Sequence, residues 1–380
     1  MNFFKTTFFL TIVLVLPFCV ACSDESDAAP IDQMKIDLEN LSGTYMDEVP
    51  YAYGEAFGQR IFTFDEGKWT LFFTLWLDNN RTQPVFQFRT VGAYQVEDKS
   101  TAVEGAYNAV FHYERKYVTL KTDNQEVIEA FGLANCGLLK DIERDITTEG
   151  CAIWRPVAVC DKDFTLLSLD SQGLLYFSER PADNDLCTVD KRPTALFLIG
   201  VKKVSDFADQ KLKLEALEGT YVDVYPVARA NGTFGHRRFT FQDGQWTLLF
   251  TLAFDPGLNV KIFEFRTGGA YEILRKAGNA PGAYAGIFYE DEKYLTLRTD
   301  HPEVIQGFGF TACDLELNVE KDISETGCSL WPSVEACHED HDLAFLDHFG
   351  QLYFGERPAD NNMCTSERRP IYLTEPVVKQ

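Results

Sequence analysis

The chain has 380 residues, 45% hydrophobic and 14% aromatic, which fills two ordinary cores on a prior of about 100–200 residues per domain. Lysine and arginine total 35 against 58 acidic residues, and the net charge of −23 repels phosphate backbones and excludes nucleic acid as a main partner. Six histidines leave little room for a multi-metal or histidine-based catalytic centre.

Residues 1–21 read as a secretory signal peptide: Lys5, an apolar run from Phe8 to Leu16, then small residues before Cys22. The run is too short to span a bilayer, which takes about 20 residues. Val20-Ala21-Cys22 is similar to a bacterial lipobox, with Cys19 where that motif prefers leucine. Cys22 is then the lipidated residue, and 22–39 an acidic tether. Ser23 after it fits an outer-membrane or cell-surface lipoprotein. Plain secretion, with cleavage near Ala21 or Ala29, is the alternative.

The rest of the chain is a duplication. Cys136, Cys151, Cys160 and Cys187 recur 177 positions later as Cys313, Cys328, Cys337 and Cys364. The same offset relates Trp69 to Trp246, Trp154 to Trp331, and Glu179-Arg-Pro-Ala-Asp-Asn184 to Glu356–Asn361. Each copy spans roughly 160 residues, a domain rather than a solenoid repeat. The reading is a first repeat over 40–200, a linker over 201–216 and a second repeat over 217–376. An even cysteine set in an exported chain implies disulfides. Four cysteines per copy allow three pairings, and loop closure favours neighbours: Cys136 with Cys151, Cys160 with Cys187, and likewise in copy two. No CxxC spacing supports zinc.

In chain order, strands are predicted at Arg60–Phe64, Trp69–Leu77, Val85–Thr90, Gly92–Val96, Tyr107–Tyr113, Tyr117–Thr122, Phe164–Leu169 and Gly173–Phe177. The second of these alternates, with Trp69, Leu71, Phe73, Leu75 and Leu77 on one face. Several strands are apolar on both faces, so both must be covered. One short helix per unit follows, Asn124–Phe131 with Asp123 as N-cap and Gly132 after it; its counterpart starts at Asp300-Pro302. The fold class is all-β with one short helix per unit: two tandem antiparallel β-barrels or half-barrels related by duplication.

His338-Glu-Asp-His341 and His348 invite a metal reading, but copy one has no histidine there, so they read as a solvated loop and no metal is expected. Glu179 and Asp183 recur in both copies and would be the acids of an envelope hydrolase; a stapled structural loop, with Arg180 pairing an acid, explains them without catalysis. Arg89 and Arg266 point away from the phenylalanines of their strands, toward a cavity mouth or toward solvent and local acids. No nucleotide, P-loop, nucleophile-elbow or zincin motif is present, and no cofactor is expected.

The strand pair Pro84-Val-Phe86 to Gly92-Ala-Tyr94 is similar to the Pro-x-Phe and Gly-x-Tyr pair of the adenomatosis polyposis coli down-regulated domain. Cys136-Gly137 with Asp145-Ile-Thr-Thr-Glu-Gly-Cys151 resembles its cysteine pattern. Leu175–Asp183, and more closely Tyr353-Phe-Gly-Glu-Arg-Pro-Ala-Asp360, resemble its closing segment. The resemblance implies tandem β-barrels and a hydrophobic pocket suited to an acyl chain. The family's opening cysteine is absent, Cys160 and Cys187 are additional, and its C-terminal span is missing. Because the leader reads as that of a bacterial lipoprotein, the Wnt partner of the family's animal members is not carried over.

The combined expectation is an exported, non-enzymatic binding protein for an apolar small molecule, an acyl chain or a lipidated protein. Its ligand-binding residues would be Phe62, Phe64, Trp69, Phe73, Phe86 and Phe88, with Phe239, Phe241, Trp246, Phe250, Phe263 and Phe265 in copy two. The alternatives are the envelope hydrolase and an adhesion or scaffold module gripping at two points. Palmitate labelling tests the anchor: Cys22→Ser is expected to abolish incorporation, and unchanged labelling refutes lipidation at this residue.

Overall fold

The computed structural model describes residues 32–229 and 231–380; the signal peptide, Cys22 and the tether as far as residue 31 lie outside the described residues. The first repeat runs through α1 (Gln33–Glu39), β1 (Gly43–Met46), β2 (Tyr51–Tyr53), β3 (Ala56–Asp65), β4 (Lys68–Trp76), β5 (Pro84–Lys99), β6 (Tyr107–His112), β7 (Arg115–Leu120), α2 (Gln125–Ala130), β8 (Glu143–Asp145), β9 (Lys162–Leu169), β10 (Leu175–Phe177) and β11 (Lys202–Ser205). The second repeats that order: α3 (Gln210–Glu215), β12 (Gly219–Asp223), β13 (Val227–Ala228), β14 (Phe234–Gln242), β15 (Gln245–Ala253), β16 (Lys261–Lys276), β17 (Tyr284–Tyr289) and β18 (Glu292–Leu297). It closes with α4 (Pro302–Gly307), β19 (Glu320–Asp322), β20 (Glu339–Leu346), β21 (Leu352–Phe354) and β22 (Val377–Lys379).

Each repeat forms an eight-stranded antiparallel barrel. In the first, pairing follows β10-β9-β6-β5-β4-β3-β1-β11, and paired backbone bonds between Leu175 and Val201 close the ring. In the second, β12 pairs with both β14 and β22, and Leu352 of β21 meets Val377 of β22. Closure removes the exposed edges that an open sheet would leave.

Several boundaries differ from the sequence reading. Val85–Thr90 and Gly92–Val96 belong to one strand of 16 residues, β5. Gly92 bends that strand without ending it: a Cβ there would fall 1.8 Å from the carbonyl oxygen of His112. Beyond the bend the sheet splits. β6 continues into β9, whereas β7 pairs instead with β8. The N-cap of α2 is Asn124 rather than Asp123; its side chain accepts from the backbone N–H groups of Glu126 and Val127. Gly132 follows with φ of +69°, as a helix-ending residue does.

Lys202–Ser205, read as linker, is a barrel strand, because β1 needs a partner on its outer side. Gln33–Glu39, read as tether, is a helix whose Leu38 is wholly buried in the first core. Tyr94 holds that helix end: its hydroxyl accepts from Leu41 N at 3.1 Å and lies 3.1 Å from the Leu38 carbonyl oxygen. Tyr271 donates likewise to the Glu215 carbonyl at 3.0 Å.

Among the described residues the disulfides are Cys136–Cys151, Cys160–Cys187, Cys313–Cys328 and Cys337–Cys364, the neighbour pairing expected from loop closure. They fit an extracellular or otherwise oxidising compartment. Among the described residues, no helix is long and apolar enough to cross a membrane.

If α1 belongs to the barrel, Leu38→Ala removes a wholly enclosed side chain. Urea unfolding is expected to show a loss of about 2–5 kcal/mol. A loss below about 0.5 kcal/mol, the size of a surface change, contradicts the docking of this helix.

Candidate functional site: the first-barrel cavity

Two apolar clusters face each other in the first repeat. One fills the barrel around Phe62, Phe64, Trp69, Phe111 and Phe177. The other joins Phe86, Phe88 and Trp154 to the α2 stripe of Val127, Ile128 and Phe131, beside Cys136–Cys151. Antiparallel register builds both. Phe73 on β4 lies opposite Arg60 on β3 and Phe88 on β5, so all three share the inner face. One step along, Leu71 lies opposite Phe62.

Between the clusters is a cavity of about 580 Å³, within the usual range of about 300–1,000 Å³ for small-molecule sites. Phe62, Trp69, Phe73, Phe86 and Phe88 line it. Phe64 does not; it is wholly buried behind them, edge-on to Tyr94. The rings are fixed by mutual packing: Phe62 stacks on Phe177 at 4.2 Å and Phe88 on Trp154 at 4.8 Å. Trp154, Phe111 and Phe177 complete the walls and were not singled out from sequence. The recurrence of Trp154 at Trp331 was the available signal.

The cavity has a polar side at the split between β6 and β7. There Tyr113 donates to Asp163 Oδ2 at 2.5 Å, and Arg180 Nη2 donates to the same oxygen at 2.6 Å. Burial and then Asp163 push the Tyr113 hydroxyl far above its usual value. Lys116, 4% exposed, donates to the carbonyls of Arg155 and Cys160 at 3.0 and 3.1 Å. Burial pulls its ammonium down to about 8, with Asp163 opposing. At the rim, Arg60 is held by buried Asp47 at 2.6 Å and stacks on Tyr51 and Phe197.

In the second repeat Phe239, Phe241 and Trp246 pack with Phe288 and Phe354 inside the barrel. Phe250, Phe263 and Phe265 lie in the outer cluster with Trp331. Arg229 covers Phe250 where Tyr53 covers Phe73. The polar side differs more. Glu290 stands where Tyr113 does and pairs with Lys293 at 2.8 Å. Asp342 stands for Thr165, accepting from Leu343 N and Gly355 N at 2.7 and 2.8 Å, and Arg357 holds Asp340 at 2.7 Å.

The other sequence candidates scatter. Glu179 lines the first cavity, whereas Asp183 lies outside its lining and caps Asp185 N at 3.1 Å. Arg180 does pair an acid, Asp163. His338 bonds Asp291 at 2.8 Å, and His341 bonds Glu339 at 3.0 Å and Arg369 at 3.1 Å. Among the described residues no group of three His, Cys, Asp or Glu is placed to hold a metal. Arg266 reaches Glu292 and Glu320 near the surface. Arg89 is buried instead, bound to Glu143 and facing a second cavity of about 290 Å³ between the barrels. Glu375 lines that space, and burial, with Glu143 next, pushes it up to about 7.

No family model and no curated protein matches the chain. Among solved structures the chain is similar to one described as a glycoside hydrolase, at 10% identity and a TM-score of 0.11. That match covers 69% of this chain and 61% of the other, so the chain spans about three fifths of that structure. A likeness this distant bears on neither fold nor activity.

Asp342 yields a pH prediction. Burial, then Asp340, pushes its carboxyl up to about 7. The folded state holds that proton more tightly than the unfolded chain. Its contribution is thus full at acidic pH and is lost as pH rises from about 4 through about 7. Asp342→Asn keeps an acceptor and removes the charge. Urea titrations are expected to show a gain of roughly 1–3 kcal/mol at about pH 8 and little at about pH 4. Equal effects at both pH values contradict an upward shift.

Proposed function

We propose that the chain is an exported binding protein whose first barrel holds an acyl chain or similar apolar ligand. The observation that carries this reading is a 580 Å³ cavity walled by aromatic rings that pack on one another rather than across the space. A role in binding rather than chemistry is supported by the polar groups at its edge. Asp163, Arg180 and Arg60 are engaged in ion pairs that hold the wall together. The acyl chain would be free or carried on a lipidated partner. Cys22 would tether the barrels to a membrane surface, and the duplication would provide a second module beside the first.

Calorimetric titration with dodecan-1-ol, an uncharged single chain, tests the reading. The natural chain is expected to bind one equivalent. Leu71→Trp, which projects bulk into the cavity, is expected to weaken binding about tenfold or more with the melting temperature nearly unchanged. Absence of binding by the natural chain, or full binding by a folded Leu71→Trp variant, overturns it.

A further inference from the structure

The two barrels treat one buried lysine differently. Lys116 and Lys293 occupy matching positions and donate to matching carbonyls: Arg155 and Cys160 for Lys116, Pro332 and Cys337 for Lys293. Lys293 also has a counter-charge, Glu290 at 2.8 Å. In the first repeat that position is Tyr113, whose ring lies 4.2 Å from the Lys116 ammonium. Among the described residues no carboxylate lies within ion-pair distance of Lys116. An ammonium carries three donors, and the two carbonyls leave one unassigned.

A second substitution runs the same way. Asp342 of the second barrel is replaced by Thr165, whose hydroxyl shares a hydrogen bond of 2.6 Å with Ser178. Of the four cations that line the first cavity, Arg60, Arg155 and Arg180 are paired with Asp47, Asp185 and Asp163, and Lys116 is left without a carboxylate partner among the described residues. A buried cation without a carboxylate is costly unless a ligand supplies one.

We propose that the ligand of the first cavity is a single-chain fatty acid, its carboxylate accepting from Lys116 beside Tyr113 and its chain lying against Phe62, Phe88 and Trp154. This rests on the acyl-binding reading above and adds the head group to it. The aromatic walls accept any alkyl chain; the lysine selects for an anionic end.

Dodecanoate and dodecan-1-ol, titrated separately at neutral pH, distinguish the two levels. Dodecanoate is expected to bind about tenfold more tightly, the worth of one charge-assisted hydrogen bond. Tyr113→Glu installs the residue of the second barrel, which already accommodates it beside a lysine. It is expected to erase the preference, read as the ratio of the two affinities within the same folded variant. Lys116→Gln, retaining a donor to the carbonyls without the charge, is expected to do the same should the first variant not fold. Equal affinity for the two ligands overturns the head-group assignment and leaves the acyl reading standing, as does a preference that survives in a folded variant. Failure of both ligands to bind overturns the acyl reading itself.

Discussion

The close passage of Gly92 against the His112 carbonyl governs the architecture of the first repeat. It lets a strand of 16 residues bend without breaking, so β5 pairs with β4 on one side and β7 on the other before the glycine, and takes up β6 beyond it. Trp69 is caught at the same point, its indole N–H 3.2 Å from the carbonyls of both Ala93 and His112. Two residues on, Tyr94 grips the end of α1. Gly269, 2.4 Å from Tyr289 O for an added Cβ, and Trp246, bonded to that carbonyl at 3.0 Å, repeat the device. Because the sheet splits beyond the bend, two apolar clusters face each other across a gap rather than merging into one core. The cavity is that gap.

The polar groups at the split explain how the duplicated frame diverged. Both copies keep a lysine bound to two loop carbonyls and an arginine bound to an aspartate. They differ in what neutralises the lysine and in how many carboxylates surround it. Glu290, Asp340 and Asp342 crowd the second barrel, and burial, then repulsion from Asp340, pushes Glu290 and Asp342 upward. Tyr113 and Thr165 relieve that crowding in the first. The same backbone thus presents an acidic network around the lysine in one copy and, in the other, a buried lysine with no carboxylate partner among the described residues.

Contacts between the barrels use faces that a lone barrel would leave wet. Phe72, on the outer face of β4, packs near Tyr353 and Phe345. Asp65, 6% exposed, accepts from Lys276 Nζ and Gly282 N, each at 3.1 Å. Arg115 reaches Glu356 at 2.7 Å. The double-sided apolar character of β4 is accounted for by this second layer of packing.

Period-two alternation, the 177-residue offset and the cysteine spacing were enough to read two antiparallel barrels or half-barrels with neighbour disulfides, because each depends on residues close in sequence or repeated in register. The same alternation placed Phe62, Phe73, Phe86 and Phe88 on one surface. It could not separate Phe64, which packs behind the wall, from Phe62, which forms it, since both point inward and only the curvature of the closed sheet sets their depth. Lys202–Ser205 looked like a charged joint because its role lies in backbone pairing with β1, to which side-chain pattern is blind. Lys116, Tyr113, Asp163 and Arg180 are spread over 67 positions of chain and carry no common motif. Their meeting at one side of a cavity, and the missing carboxylate that Glu290 supplies elsewhere, were decided only by how β6, β7, β9 and the loop after β10 close on one another in three dimensions.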